Sequence, residues 1–500
     1  MPSRGLEHDS SGEPGRWYST FRRWFALSLR VFFRHIQVEG IENIPPRGGG
    51  IIIAWHPNAV IDGMLLAAEC PRPITFGARH GLLDVPLLGW VMRRTGTVPV
   101  YRACDTADQE LEVRRAANQR SLGKLAEAVA NGRLTALFPE GLSHDAPHPV
   151  ALKTGAARLF DMARELAGGV EPFVLPVALH YGAKDRGRST VLVRFDPPLN
   201  LPDELTTSPA HEDDDARYVR LRALTDLFER TIHETVLATE DWRSHRLMHR
   251  TRKLMRAELA HRRESDPGPA TPSEKRAGFA RVWTAYRAVA ERNPAGAQSL
   301  SRRLVAYDRG LRELRLEDHQ LDRVDASSGL AFWLAIVRAA VLLVLLAPIA
   351  LVGHVANGPT ALFLFSLAHT LGRAAKDRAT IKVLVGMLVF PITWIGIGAI
   401  TAYGANLGAP SKLSFGATLG IGIAATLLSL LGVPAVFLFS RVLNETIRRV
   451  RARATRLWNR EAIDRLRRQR AALFDSLVEE VGDLQLPGSV LFDGRVEPDA

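Results

Sequence analysis

Apolar and polar positions change period several times along the chain, and each change predicts an element. Arg16–Val38 has a helical period. At about 100° per residue Tyr18, Phe21, Phe25, Leu29, Phe32 and Ile36 share one face, and Arg16, Arg23, Arg30 and Arg34 the opposite one. An aromatic face opposite a row of arginines predicts a helix over 16–38 lying in a bilayer interface, with a surface helix packed on its own domain as the alternative. From Val38 to about Asn200 short apolar runs alternate with helical spacing. Gly50–Trp55, Thr97–Tyr101, Leu134–Phe138, Phe173–Leu179 and Thr190–Phe195 are β-branched or aromatic and bounded by Gly, Pro or charge, so they read as strands. Ala59–Glu69, Asp105–Asn131 and Ala151–Ala167 carry the helical spacing between them. This alternation predicts an α/β domain over 39–240, a mostly parallel sheet flanked by helices.

Residues 241–328 are densely charged and helical in pattern, broken at Glu264–Glu274 by a Pro- and Gly-containing stretch. The period then vanishes. Ala339–Gly372, Val383–Ser411 and Leu413–Ser440 contain no Asp, Glu, Lys or Arg, which predicts membrane spans within 329–442. Asn357-Gly358-Pro359 reads as a break, so four segments are expected: Leu330–Ala356, Thr360–Gly372, Val383–Ser411 and Leu413–Ser440. Thr360–Gly372 is shorter than the ~17–25 residues a crossing needs and reads as tilted or re-entrant. Arg338 inside the first segment snorkels to an interface or marks a later start. Residues 443–500 form a basic helical tail that frays through Pro487, and 1–15 a flexible polar terminus without the pattern of a signal peptide.

Charge orients these segments. Arg373, Lys376, Arg378 and Lys382 lie between the second and third, and Arg441, Arg448 and Arg449 follow the fourth; the other connections carry little charge beyond Lys412. The positive-inside rule then places the N-terminal domain and both termini on the cytoplasmic side of the cell (inner) membrane, with an even number of crossings. Across 500 residues, 65 Lys+Arg against 53 Asp+Glu give +12, a balance that suits an anionic partner. The basic residues gather at span ends and on the first helix, where lipid head groups lie. No helix-turn-helix, zinc-finger or RNA-recognition pattern is found, so nucleic acid is excluded as partner. Two cysteines, Cys70 and Cys104, support no disulfide framework.

Candidate chemistry begins where the strand Gly50–Trp55 runs into His56-Pro57-Asn58-Ala59-Val60-Ile61-Asp62. Pro57 disfavours a helical backbone at His56, which puts the histidine on a strand-to-helix turn. Asn58 is placed to cap the following helix. On a continuous helix His56 and Asp62 would point about 120° apart; across the turn, Asp62 can reach back to the imidazole. A carboxylate on one ring nitrogen fixes the tautomer and leaves the other as a general base. Phe138-Pro139-Glu140-Gly141-Leu142-Ser143 follows another strand, Gly96–Arg102 ends a third, and Val174-Leu175-Pro176-Val177 puts a proline in an apolar strand, which suggests an edge or bulge. His144, Asp145 and His148 cluster on one proline-containing loop, poor geometry for a metal, and no metal site is expected.

Together these four stretches resemble the glycerophospholipid acyltransferase family, whose blocks run in the same order: a His…Asp box, an Arg-containing block, Phe-Pro-Glu-Gly and a Pro-containing strand. The commonest box has four residues between His and Asp; here Pro57 to Ile61 make five. That longer box, and Lys376–Gly386, resemble the branch of yeast-type glycerol-3-phosphate/dihydroxyacetone-phosphate acyltransferases. The resemblance implies an α/β acyltransferase domain followed by a helical region and an α-helical membrane domain. It also implies that His56 deprotonates an acceptor hydroxyl for attack on an acyl thioester, with Asp62 orienting the imidazole. Arg102 would hold the acceptor phosphate, Glu140 and Gly141 would bind acceptor hydroxyls or order that arginine, and Asn58, Ser143 and Lys153 would add substrate contacts. No cofactor is required; acyl-CoA or acyl-carrier protein serves as co-substrate.

The expected protein is a membrane-bound acyltransferase acting on glycerol 3-phosphate, its partners being a thioester donor, a phosphorylated glycerol acceptor and membrane lipids. A lysophosphatidate acyltransferase and a non-catalytic lipid-binding scaffold are the alternatives. A serine hydrolase fits poorly, because Gly141-Leu142-Ser143-His144-Asp145 lacks the second glycine of a nucleophile elbow.

Overall fold

The computed structural model describes residues 16–86, 88–101, 111–168, 170–207, 212–322, 329–372 and 374–498. They form two compact units. The first is the chain up to Trp242 together with Gly372–Thr380, the second Arg243–Leu371 with Ile381 onwards.

The first unit is built on a sheet of β1 (His35–Glu39), β2 (Gly50–Ala54), β3 (Ile74–Arg79), β4 (Val98–Val100), β5 (Leu134–Leu137), β6 (Phe173–Tyr181) and β7 (Thr190–Phe195). Their order is β1-β7-β6-β2-β5-β3-β4, parallel throughout except for the antiparallel β6–β7 pair. The continuous apolar run of β2 is explained by its central place, since Ile51, Ile52 and Ile53 have no exposed surface. Gly50 admits Phe173, whose ring lies 2.3 Å from where a Cβ would stand. Helices Leu111–Ala130, Gly155–Leu166 and Asp214–Val236 cover one face and share a core with Ile51, Ile53 and Val174.

Three sequence expectations change in this unit. The first helix spans Arg16–Phe32, not 16–38, because the chain beyond it pairs with β7 as β1 and Arg34 N–H donates to Ser189 O. Its aromatic face also packs on its own domain: Phe21 and Leu29 are buried, Trp17 and Phe21 meet the edge of Trp90, and Ile74 N–H donates to Tyr18. Pro176 lies on no edge, since β6 runs between β7 and β2. Its carbonyl accepts from Asp196 N–H just past the end of the β6–β7 ladder, and its nitrogen faces the same way, so the missing donor removes no ladder bond.

In the second unit, helices Trp242–Arg262, Pro272–Arg292, Pro294–Leu314 and Arg460–Val481 surround a core of Leu254, Leu304, Tyr307, Leu466 and Leu473. The break expected at 264–274 falls between the first two of these, where Thr271 caps the second by accepting from Glu274 N–H. The tail is not a separate element: Arg460–Val481 buries Ile463, Leu466, Leu473 and Phe474 in this core, and Ser489–Val490 pairs with Val496–Glu497. Arg470, fully buried, holds Asp322 through both terminal nitrogens (2.6 and 2.8 Å) and Glu258 through Nε at 2.7 Å.

Four apolar segments were expected; three helices are long and apolar enough to cross a membrane among the described residues, Leu330–Leu371, Ala375–Gly408 and Phe415–Trp458. The helix continues through Asn357-Gly358-Pro359 because Asn357 is held by its neighbours. Its Nδ2 donates to Gly353 O and Ser429 O at 3.0 Å, and its Oδ1 accepts from Trp394 Nε1 at 2.7 Å. Neighbouring helices satisfy the polar groups a proline frees, and the local turn signal is overridden.

Candidate active site

In a parallel sheet every strand leaves by the same edge, so loops after neighbouring strands meet there. β2, β5 and β6 are neighbours, and the loops that follow them carry the candidate chemistry. His56 Nδ1 lies 3.0 Å from Asp62 Oδ2. The turn that brings them together passes through Ala59 at φ +48°, a conformation side chains disfavour. Asn58 caps nothing, since Ala59 takes the N-cap place without a side-chain bond. Instead, Asn58 N–H donates to Asp62 Oδ2 at 2.7 Å, its Nδ2 donates to Lys184 O at 3.2 Å, and its fully buried Oδ1 has no hydrogen-bond partner among the described residues.

Tyr181, at the end of β6, completes this cluster. Its hydroxyl donates to Asp62 Oδ1 at 2.5 Å, and burial, followed by the neighbouring Asp62 charge, pushes its pKa well above the usual phenol value. Three donors therefore converge on Asp62. No sequence pattern marks Tyr181, which lies 119 positions from the aspartate it touches.

Glu140 closes the arrangement from the β5 side. Its carboxylate is buried, with Oε2 accepting from His56 N–H at 3.1 Å and Oε1 from Val150 N–H at 2.9 Å, and His144 Nε2 at 2.7 Å. Both oxygens are thus engaged inside the protein, and Glu140 links the His56 backbone to the loop after β5. Phe138 stacks on the His56 ring at 3.9 Å, and the imidazole remains partly exposed.

Gly141 follows at φ +70°, and a Cβ there would stand 3.0 Å from Lys153 Nζ. The same loop returns Lys153 N–H to Pro139 O at 2.9 Å, which sets its exposed side chain over Gly141. Ser143 O accepts from Lys376 Nζ, and Arg378 grips Asp185 at 2.9 and 3.0 Å. Asp145 pairs with Lys184 at 2.5 Å, and His148 Nδ1 lies 3.1 Å from Thr239 O, so the loop's His and Asp side chains each have separate partners. Arg102 lies outside the described residues.

Similarity to known proteins reaches both units of the chain. The family model "Acyltransferase" matches residues 35–180, and the model "Glycerol-3-phosphate acyltransferase 2 C-terminal domain" matches 281–485. The chain belongs to the glycerophospholipid acyltransferase family. It is similar to glycerol-3-phosphate O-acyltransferase 1 of Saccharomyces cerevisiae, 21% identical over 288 residues, covering 55% of this chain and 36% of that one. An uncharacterized acyltransferase of Schizosaccharomyces pombe is 24% identical over 450 residues, covering 73% and 64%. The chloroplastic 1-acyl-sn-glycerol-3-phosphate acyltransferase LPAT1 of Arabidopsis thaliana is 24% identical over 152 residues, covering 30% and 38%. Among solved structures, the 1-acyl-sn-glycerophosphate acyltransferase PlsC of Thermotoga maritima aligns at a TM-score of 0.29 with 17% identity, covering 43% of this chain and 79% of that one. The chain spans about a third of the length of the yeast enzyme.

Proposed function

We propose that this family member transfers a fatty acyl group from acyl-CoA or acyl-carrier protein to glycerol 3-phosphate, at the membrane, as an early step of phospholipid synthesis. The observation that carries the reading is the His56–Asp62 pair at the carboxyl edge of the central strands. With Nδ1–H donated to Asp62, Nε2 holds the lone pair and takes the proton of the acceptor hydroxyl. The resulting oxygen attacks the thioester carbonyl, the C–S bond breaks as the new ester forms, and the departing thiolate takes the proton from the imidazolium. Asp62 favours the positive ring during that step, and Tyr181 and the Asn58 amide hold Asp62 in place. No metal or prosthetic group enters this sequence.

The acceptor phosphate is assigned to Arg102 and Lys153, with Gly141 leaving room for close approach and Ser143 on the same loop. Glycerol 3-phosphate is preferred to lysophosphatidate because the similarity to the yeast enzyme extends over 288 residues, against 152 for the plant lysophosphatidate-type enzyme, and because the long His box resembles the yeast-type branch. A mixed assay with both acceptors and labelled acyl-CoA tests this. Lysophosphatidate is expected as the main product; dominant phosphatidate overturns the acceptor and keeps the dyad.

For localisation, Gly372–Thr380 belongs to the catalytic unit and shares its side of the membrane. Lys376, Arg378 and Lys382 on one flank and Arg441, Arg448 and Arg449 on the other bracket the last two apolar helices. This pair therefore leaves and returns to the cytoplasmic side of the inner membrane, and both termini lie inside with the catalytic unit when Leu330–Leu371 begins and ends on that same side, so that two of the three apolar helices cross.

A further inference from the structure

The second unit holds a cavity of about 350 Å³ among the helices Trp242–Arg262, Pro272–Arg292, Pro294–Leu314 and Arg460–Val481. Its volume falls in the range of small-molecule sites. The wall is mainly apolar, formed by Met248, Met255, Leu259, Val282, Leu304 and Leu477 among others. Two of these are methionines, whose unbranched side chains adapt to a flexible guest.

One charged side chain on this wall is only partly compensated. Arg252 is 6% exposed, and its Nε has no hydrogen-bond partner among the described residues. Its stem passes over Gly278, where a Cβ would stand 2.8 Å from Arg252 Cγ and Cδ. The other charges on the wall are engaged. Glu274 accepts from Arg256 Nε at 2.5 Å, Arg281 donates to Gly488 O at 2.8 Å, and Glu480 accepts from Asn293 at 3.2 Å. Burial pulls the Arg252 guanidinium down to about 10, which the nearby Glu274 only partly offsets. A buried cation without a full partner is costly, and an arriving anion that gives it a charge-assisted hydrogen bond removes that cost.

We infer that this cavity binds a single-chain anionic lipid, its alkyl chain lying among the apolar side chains and its head group paired with Arg252. A long-chain fatty acid and a lysophosphatidate share that chemistry. The inference does not rest on the His56 reading, because every residue that carries it belongs to the second unit.

The test uses the full chain in nanodiscs and a hexadecanoate bearing a diazirine at the chain end. Cross-linked peptides are expected within 247–259, 278–304 or 474–486. Excess palmitate or lysophosphatidate should reduce labelling at least tenfold, and the stronger competitor identifies the preferred head group. Hexadecanol should compete poorly. Arg252→Met should weaken palmitate binding by about 10–100-fold, the span of one charged hydrogen bond. Circular dichroism and the His56-dependent acyl transfer show whether that variant is folded. Labelling confined to the three apolar helices, or equal competition by hexadecanol, overturns the site. His56→Ala should lose acyl transfer and keep the labelling, so failure of the lipid site and failure of the catalytic reading give different results.

Discussion

Tyr181 sets how firmly Asp62 can hold a charged imidazole. Its hydroxyl takes one carboxylate oxygen while His56 and the Asn58 amide share the other. Tyr181→Phe removes one of the donors that hold Asp62, so the imidazole is less firmly oriented. Steady-state kinetics should therefore show a fall in kcat with little change in KM, and Tyr181→Phe with an unchanged kcat would show that the hydroxyl does not position the pair. His56→Ala should lower kcat by about 10²–10⁴-fold, the usual contribution of a general base, measured as thioester consumption at saturating substrate. Ala59 tests strain at the same turn. Its φ of +48° suits glycine, so Ala59→Gly should raise stability by about 1 kcal/mol in thermal unfolding. An unchanged or lower melting temperature would show that the turn stores no strain.

At the scale of elements, the His56 loop after β2 is held by the loop after β5. Glu140 makes this link by accepting from His56 and Val150 backbone amides. A brace and a substrate ligand fail differently. Glu140→Ala should release the His56 backbone, lower kcat and leave the acceptor KM within about twofold. A large rise in acceptor KM with kcat preserved would return Glu140 to substrate binding. The segment Gly372–Thr380 adds a second link to this loop through Lys376 and Ser143 O. Its Arg378–Asp185 pair is half-exposed, so Arg378→Ala alone should change stability by less than about 1 kcal/mol.

For the whole molecule, pH acts most directly on the helical unit. His245 and His249 pack on Phe279, and burial lowers them to about 4 and about 3 from 6.5, with neighbouring positive charge adding to the effect. Their folded values lie below the unfolded one. The stability they allow is complete above pH 6.5 and is lost as pH falls toward 4 and 3, where the unfolded chain binds protons and the folded chain does not. Each contributes about 1.4 kcal/mol per pH unit in that window. Hydrogen exchange in Trp242–Arg262 should accelerate between pH 6.5 and 5, and His249→Leu should roughly halve the slope. Topology is a second whole-molecule property. A cysteine at Glu480 should resist membrane-impermeant maleimide in intact cells and react after lysis; labelling from outside would place the tail on the opposite face.

The strands β2, β4, β5, β6 and β7 and the three helices between them were legible in the sequence, because short β-branched runs and helical spacing act within a few residues. So was the His56–Asp62 pair, whose turn is dictated locally by Pro57. What lay beyond reach depended on partners distant in the chain. β1 is a strand because β7 pairs with it, and a helix-like pattern at Ile36 gave way to that ladder. Asn357-Gly358-Pro359 carries a turn signal, yet Ser429 and Trp394 hold the asparagine inside a continuous helix. The bond from the His56 amide to Glu140 depends on the sheet that brings their loops together, and Tyr181 and Arg252 carried no signal at all. Local chemistry along the chain determined the elements and the His56–Asp62 pair. Strand order and helix packing decided which buried polar groups meet, since each must find its partner in space and not in sequence.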